Sequence, residues 1–193
     1  MTRPPRPYPP SGHVAVTMIV SIALWAFMVF WTLAYLKRIA GGLAPFDMRP
    51  FGYTFEEARA FIFAIGDIGR NYYLDVQLQI DTVYPGVYAL SRGLLLLWVT
   101  SSGRTSERPL PFAARAALLA LPLATTVFDY AENQGIAAML TAGARLTPDM
   151  VAWASFWTQA KSLAALATEL TCVALLALVF FRWRQRRGQM QSR

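Results

Sequence analysis

The chain predicts an all-α fold: a four-transmembrane-helix bundle with a short amphipathic helix in its first outer loop, all within a single integral membrane domain covering 1–193. Three observations predict it. Of the 193 residues, 55% are hydrophobic and only 15% charged, and the mean hydropathy of +0.36 is too high for an ordinary soluble domain. The apolar residues are gathered into long blocks, the signature of membrane helices, rather than into short periodic bursts. The Arg and Lys residues flank those blocks without forming a basic face. The formal charge of +7 therefore reads as anchoring among membrane lipids, and nucleic acid is excluded as a partner.

The first span covers about 14–36, "VAVTMIVSIALWAFMVFWTLAYL", with no charge until Lys37-Arg38. About 20 helical residues cross a bilayer core. A secretory signal would have an apolar core of roughly 7–15 residues followed by a small-residue cleavage site, so this helix is read as retained. The loop after it contains Thr54 and Glu57 in the T-x-x-E arrangement of a capping box, which starts a helix over about 55–65. Gly66 and Gly69 are its natural stops. Phe55, Ala58, Phe61, Ile62 and Ile65 share one side of it, which predicts a helix lying in the headgroup plane and packed on the bundle, or serving as a lid over it.

The second span, about 74–99, has an apolar half from Leu94 to Val99 and a polar half before it. A re-entrant path around Pro85-Gly86, leaving three spans, is the alternative. The third and fourth spans cover about 112–134 and 153–181. Basic residues near the helix ends set the orientation. Arg3 and Arg6, Arg104 and Arg108, and Arg182, Arg184, Arg186 and Arg187 place both termini and the 101–111 loop in the cytoplasm, most simply of a plasma (inner) membrane. Lys37-Arg38 abuts a span on the opposite side.

Ionisable side chains inside spans cost roughly 2.5–3.5 kcal/mol each on insertion scales and mark functional candidates. On the second helix Tyr73, Gln77, Asp81, Tyr84, Tyr88 and Arg92 recur at helical spacing and share one face. On the third, Thr125, Asp129 and Asn133 recur every four residues with Glu132 beside them. On the fourth, Lys161 lies near the outer end, and Glu169 lies deeper with no obvious local partner. Antiparallel helices bring Asp81, Asp129, Glu132 and Lys161 to similar depth. Three carboxylates against one ammonium leave excess negative charge, which calls for protonation, an inward-reaching Arg92 or Arg145, or a cationic guest. The bland alternative is a set of structural ion pairs that tie the bundle together.

No HExxH, GxSxG, P-loop or cysteine cluster is present, and the acid spacing fits no metal motif, so neither cofactor nor metal is expected. The single Cys172 lies within an apolar run, and the single His13 precedes the first block.

"PLATTVFDYAEN" and "DVQLQIDTVYPGVYAL" resemble the third and second helices of the four-helix family of sigma-2 receptors and emopamil-binding sterol isomerases (the EXPERA type). The resemblance implies four spans with cytoplasmic ends, and acids facing a lipid-accessible pocket for a sterol-like or cationic amphiphile. The chain lacks that family's acid near the outer end of the first helix, for which Asp47 is a poor substitute. It also lacks the isomerases' histidine, so the resemblance implies a pocket more than isomerase chemistry. Small uncharacterised multi-pass proteins are an equal match.

Two functions follow. In the first, an acidic pocket on the outer-leaflet side binds, or transforms through a proton-shuttling carboxyl, a lipophilic or cationic amphiphilic molecule. Asp81, Asp129, Glu132, Asn133, Lys161 and Glu169 are its polar candidates, and Tyr84, Tyr88 and Trp157 its aromatic walls. In the second, the chain is a non-enzymatic accessory or assembly subunit, with small-residue faces at Ala113–Ala117 and Ala164–Ala167 packing on partner membrane subunits. An ion-coupled carrier resting on Glu169 and Arg92 is a third, less economical reading in a chain without inverted repeats.

Overall fold

The computed structural model describes residues 9–101 and 110–191. Arg3, Arg6, Arg104 and Arg108, on which the orientation count leans, lie outside the described residues. Helices α1 (Ser11–Phe27) and α2 (Leu33–Ile39) are joined by a π-helical turn, Met28–Thr32, into one rod. A 3₁₀ turn at Phe46–Met48 precedes α3 (Phe55–Tyr72), which a second π turn, Tyr73–Gln77, connects to α4 (Leu78–Val99). Helix α5 (Phe112–Ala142) and α6 (Pro148–Gln191) complete the bundle, linked by a 3₁₀ turn at Gly143–Arg145. The described residues contain no strand.

Three helical stretches, Ser11–Ile39, Phe112–Arg145 and Pro148–Gln185, are long and apolar enough to cross a membrane, which is the make-up of a multi-pass membrane protein. Helix α4 has 22 residues, about 33 Å at 1.5 Å per residue, but its apolar character is broken by Asp81 and Arg92. Both are turned into the bundle, so burial among helices takes the place of hydropathy. The helix runs unbroken through Pro85, and no re-entrant loop forms there. The outward faces are apolar, with Ile19 and Ile22 on α1 and Leu163, Leu166, Leu170 and Val173 on α6 exposed.

The helices extend beyond the apolar stretches read from the sequence. Helix α5 continues to Ala142 because Ile136, Met139 and Leu140 are buried against α3 and the 3₁₀ turn. Helix α6 begins at Pro148, where a missing amide costs nothing, and the Thr147 hydroxyl accepts from the Met150 amide at 3.3 Å. The capping box of Thr54 and Glu57 is formed at the start of α3. Gly66 is a break but not an end. Its φ of 60° is a conformation glycine adopts without penalty, after which the helix resumes to Tyr72. Gly69 is no stop at all. It lies within the helix against Ile65 and Ile39.

Ala58, Phe61 and Ile65 of α3 are buried with Leu36, Phe46, Tyr53, Ile136, Val151 and Ala154, while Phe63 and Ile68 stay exposed. Each buried large side chain stabilises such a cap by about 1.5–3 kcal/mol. At the opposite end, Val14, Leu95, Leu96, Val99 and Cys172 form a second apolar cluster. Between the two lies the polar interior. Around the bundle α1 packs on α4, α4 on α5 and α6, and α5 on α6, but the backbones of α1 and α6 scarcely approach one another. The α5–α6 seam is the tightest, because Gly135 leaves no room beside Ala154 for even a β-carbon.

Candidate functional site

The π turn Tyr73–Gln77 and helix α4 together present one polar stripe inward. Tyr73, Gln77, Asp81 and Tyr88 are all buried, as the spacing of 4, 4 and 7 along a helix requires. Pro85 sits in the middle of this stripe and has no amide to offer the carbonyl of Asp81, four residues earlier. Helix α5 supplies the missing donor. Asn133 Nδ2 donates to the Asp81 carbonyl at 3.1 Å, Tyr130 Oη to the Thr82 carbonyl at 3.1 Å, and Thr126 Oγ1 to the Pro85 carbonyl at 2.9 Å. Asn133 is therefore occupied with backbone and helps fix the height of α5 against α4.

That register sets Asp129 opposite Asp81. Lys161, from α6, lies 3.3 Å from Asp129 Oδ1 and pairs with Glu132 Oε2 as well. Asp129 and Glu132 have almost no exposure. A charge withdrawn from water persists only when paired, and one ammonium serves both acids.

Beside this triad is a cavity of about 210 Å³, lined by Asp47, Asp81, Tyr84, Tyr88, Asp129 and Lys161 together with Trp25, Met28, Val29 and Leu33 of the first rod. Met48, Thr125, Ser162 and Ala165 complete its wall. It lies where α1 and α6 stand apart. Asp47 is the residue that sequence reading missed as a member of this group. Phe46 is fully buried among Tyr53, Phe61 and Tyr73, which turns the loop back into the bundle and delivers the next side chain to the cavity. There Tyr73 Oη donates to Asp47 Oδ2, and Asp47 shares the cavity wall with Asp81. The signal available in the sequence was the density of aromatic and proline residues in "APFDMRPFGYTF", unusual for a solvated loop.

The loop is pinned across the end of the bundle. The Tyr53 amide donates to Ser155 Oγ at 2.8 Å, and Gly52, with φ of 81°, passes too close to Ser155 and Gln159 for any side chain. Burial pushes the Tyr53 phenol above its ordinary range, so it stays neutral and adds no charge to the acids nearby.

Among the described residues, Asp47 Oδ1 and Asp81 Oδ2 are buried without a hydrogen-bond partner. The nearest ammonium is already engaged with Asp129 and Glu132. No group of three or more His, Cys, Asp or Glu there is arranged to hold a metal ion.

Four expected members are not part of the cavity wall: Glu132 and Asn133, engaged as above, and Glu169 and Trp157, which stand elsewhere. Glu169 has a partner after all: Arg92 Nε lies 2.8 Å from Glu169 Oε1, and the guanidinium also donates to Ser21 Oγ at 3.1 Å and covers the Tyr88 ring at 4.7 Å. This pair lies on the far side of Tyr88 from the acids, so Arg92 does not neutralise them. Trp157 lines no part of the cavity. It packs instead against Phe128, Trp153 and Phe156.

No family model, curated protein or solved structure matches the chain.

Proposed function

We propose that this multi-pass membrane protein binds a lipophilic or cationic amphiphilic small molecule in its acidic cavity, with the cavity toward the outer leaflet and both termini in the cytoplasm. The observation that carries the reading is the charge imbalance in the cavity wall. Asp47, Asp81 and Asp129 face a space that holds one ammonium, and one carboxylate oxygen each of Asp47 and Asp81, Oδ1 and Oδ2, lacks a donor. A protonated amine supplies both the missing charge and the missing hydrogen bonds. Met28, Val29 and Leu33, with the rings of Trp25, Tyr84 and Tyr88, offer the apolar and aromatic wall suited to the remainder of such a ligand. The separation of α1 and α6 gives an alkyl tail a path to the lipid. The resemblance of the α4 and α5 segments to sigma-2 receptors and sterol isomerases points the same way.

The test is thermal stability in neutral detergent with three probes of equal chain length: an alkyl ammonium, an alkyl alcohol and an alkyl sulfate. The ammonium is expected to raise the Tm most. Asp81→Asn is expected to erase that preference while leaving the Tm of the unliganded protein within a few degrees. Equal response to all three probes overturns the reading. Should the protein also leave mild detergent only as a stable complex with a second polypeptide, an accessory-subunit role replaces it, with the acids as structural pairs.

A further inference from the structure

The first rod carries a second stripe of side chains that the cavity does not use. Trp25, Met28, Val29 and Leu33 face the acids, whereas Phe30, Trp31, Ala34, Tyr35 and Arg38 face away and, with Tyr72 of α3, line a separate slot of about 460 Å³. At one end Phe30 and Trp31 are 71% and 68% exposed, an apolar surface at the level of the hydrocarbon. At the other end the rings of Tyr35 and Tyr72 stand 4.4 Å apart, and the Arg38 guanidinium lies over Tyr35 at 5.6 Å.

Lys37 and Arg38 end the apolar run, and neither has a carboxylate partner among the described residues. Arg49 pairs with Glu57, Arg70 with Asp67 and Arg92 with Glu169, whereas Arg59 of α3 shares with Lys37 and Arg38 the lack of a carboxylate partner among the described residues. The slot is thus apolar at one end and cationic and hydroxyl-bearing at the other, and it runs along the membrane-facing side of a span. A glycerophospholipid with an anionic headgroup has that sequence of chemistries along its length: phosphate against guanidinium and phenols, acyl chain against Phe30 and Trp31.

We infer that the slot between the first rod and Tyr72 is a binding site for an anionic phospholipid, with Arg38 taking the phosphate. This site also accounts for a Lys-Arg pair standing on the side of the membrane where the positive-inside rule does not call for one. It is independent of the acidic cavity, which lies on the opposite face of the same rod.

Native mass spectrometry of the full chain with equimolar phosphatidylglycerol and phosphatidylcholine of identical acyl chains tests it. Phosphatidylglycerol adducts are expected to dominate, Arg38→Gln to reduce that preference about tenfold, and Phe30→Ala to weaken retention of both lipids. Asp81→Asn is expected to leave the adducts unchanged, which separates this site from the cavity, and inorganic phosphate is expected not to compete. Equal adducts of the two lipids on the wild-type chain, or an undiminished preference in Arg38→Gln, overturn the assignment. So does a dimer that Arg38→Gln dissociates, which would make a second copy of the chain the occupant.

Discussion

Asn133 Nδ2 donates to the main-chain carbonyl of Asp81, the one carbonyl on α4 that Pro85 leaves without an amide. The two residues are 52 positions apart, and their contact locks the heights of the two helices that carry acids into the cavity. A buried carbonyl without a donor costs about 1–3 kcal/mol. Asn133→Leu is expected to lower stability by that amount. Pro85→Ala restores the helical amide, so the double substitution is expected to recover most of the loss. A coupling energy near zero in the thermal or denaturant double-mutant cycle would show that the bond does not carry the register.

Lys161 holds Asp129 and Glu132 at once, and Glu132 is fully buried. Removing one member of a buried pair costs about 3–5 kcal/mol, because the remaining charge has no counterpart. Lys161→Met is therefore expected to reduce the yield of folded protein sharply. Glu132→Gln in the same chain is expected to return part of it, since Asp129 alone then lacks its cation. Detergent-solubilised yield and size-exclusion profile check both outcomes. Loss in Lys161→Met beside normal folding in Asp81→Asn would separate the acids that hold the bundle from those that only face the cavity.

Arg92 joins three helices, meeting Glu169 on α6 and Ser21 on α1 from its place on α4. The Glu169 side chain is 43% exposed, and its charge in a membrane needs this guanidinium. Glu169→Gln is expected to cost about 3–5 kcal/mol, because it leaves the Arg92 guanidinium, 11% exposed, without its counter-charge. Arg92→Met paired with Glu169→Leu, which removes both charges, is expected to be nearer neutral than either alone. A thermal melt of the four variants reads the comparison directly.

The polar face of α4 was legible because a helix repeats every 3.6 residues, and Tyr73, Gln77, Asp81, Tyr84, Tyr88 and Arg92 keep that period through Pro85. The inward stripe of α3 was legible for the same reason, and its start from the chemistry of Thr54 and Glu57. Spacing along one helix does not give its height against another. Glu169 therefore looked solitary, although Arg92 is within reach, and Trp157 looked like a cavity wall, although it packs beside Phe128. Asp47 was hidden for a different reason. It belongs to no periodic element, and its position depends on Phe46 being drawn into the apolar cap, a long-range event without a local signature. Gly66 misled in the same way, since a left-handed glycine marks a change of direction and the residues beyond it decide whether a helix resumes.

Helix α4 packs on α1, α5 and α6, and α5 packs on α6, while the backbones of α1 and α6 scarcely approach one another. The packed seams are fastened by groups that resist sliding: an ammonium shared by two acids, an amide on an orphaned carbonyl, a glycine against an alanine. Between α1 and α6, side chains that span the gap at Arg92 and in the Val14–Cys172 cluster supply what restraint there is. The distance between the first and last helices is thus the one that backbone packing does not fix. The acidic cavity takes walls from both of these helices, whereas the Lys161 triad lies wholly on α5 and α6.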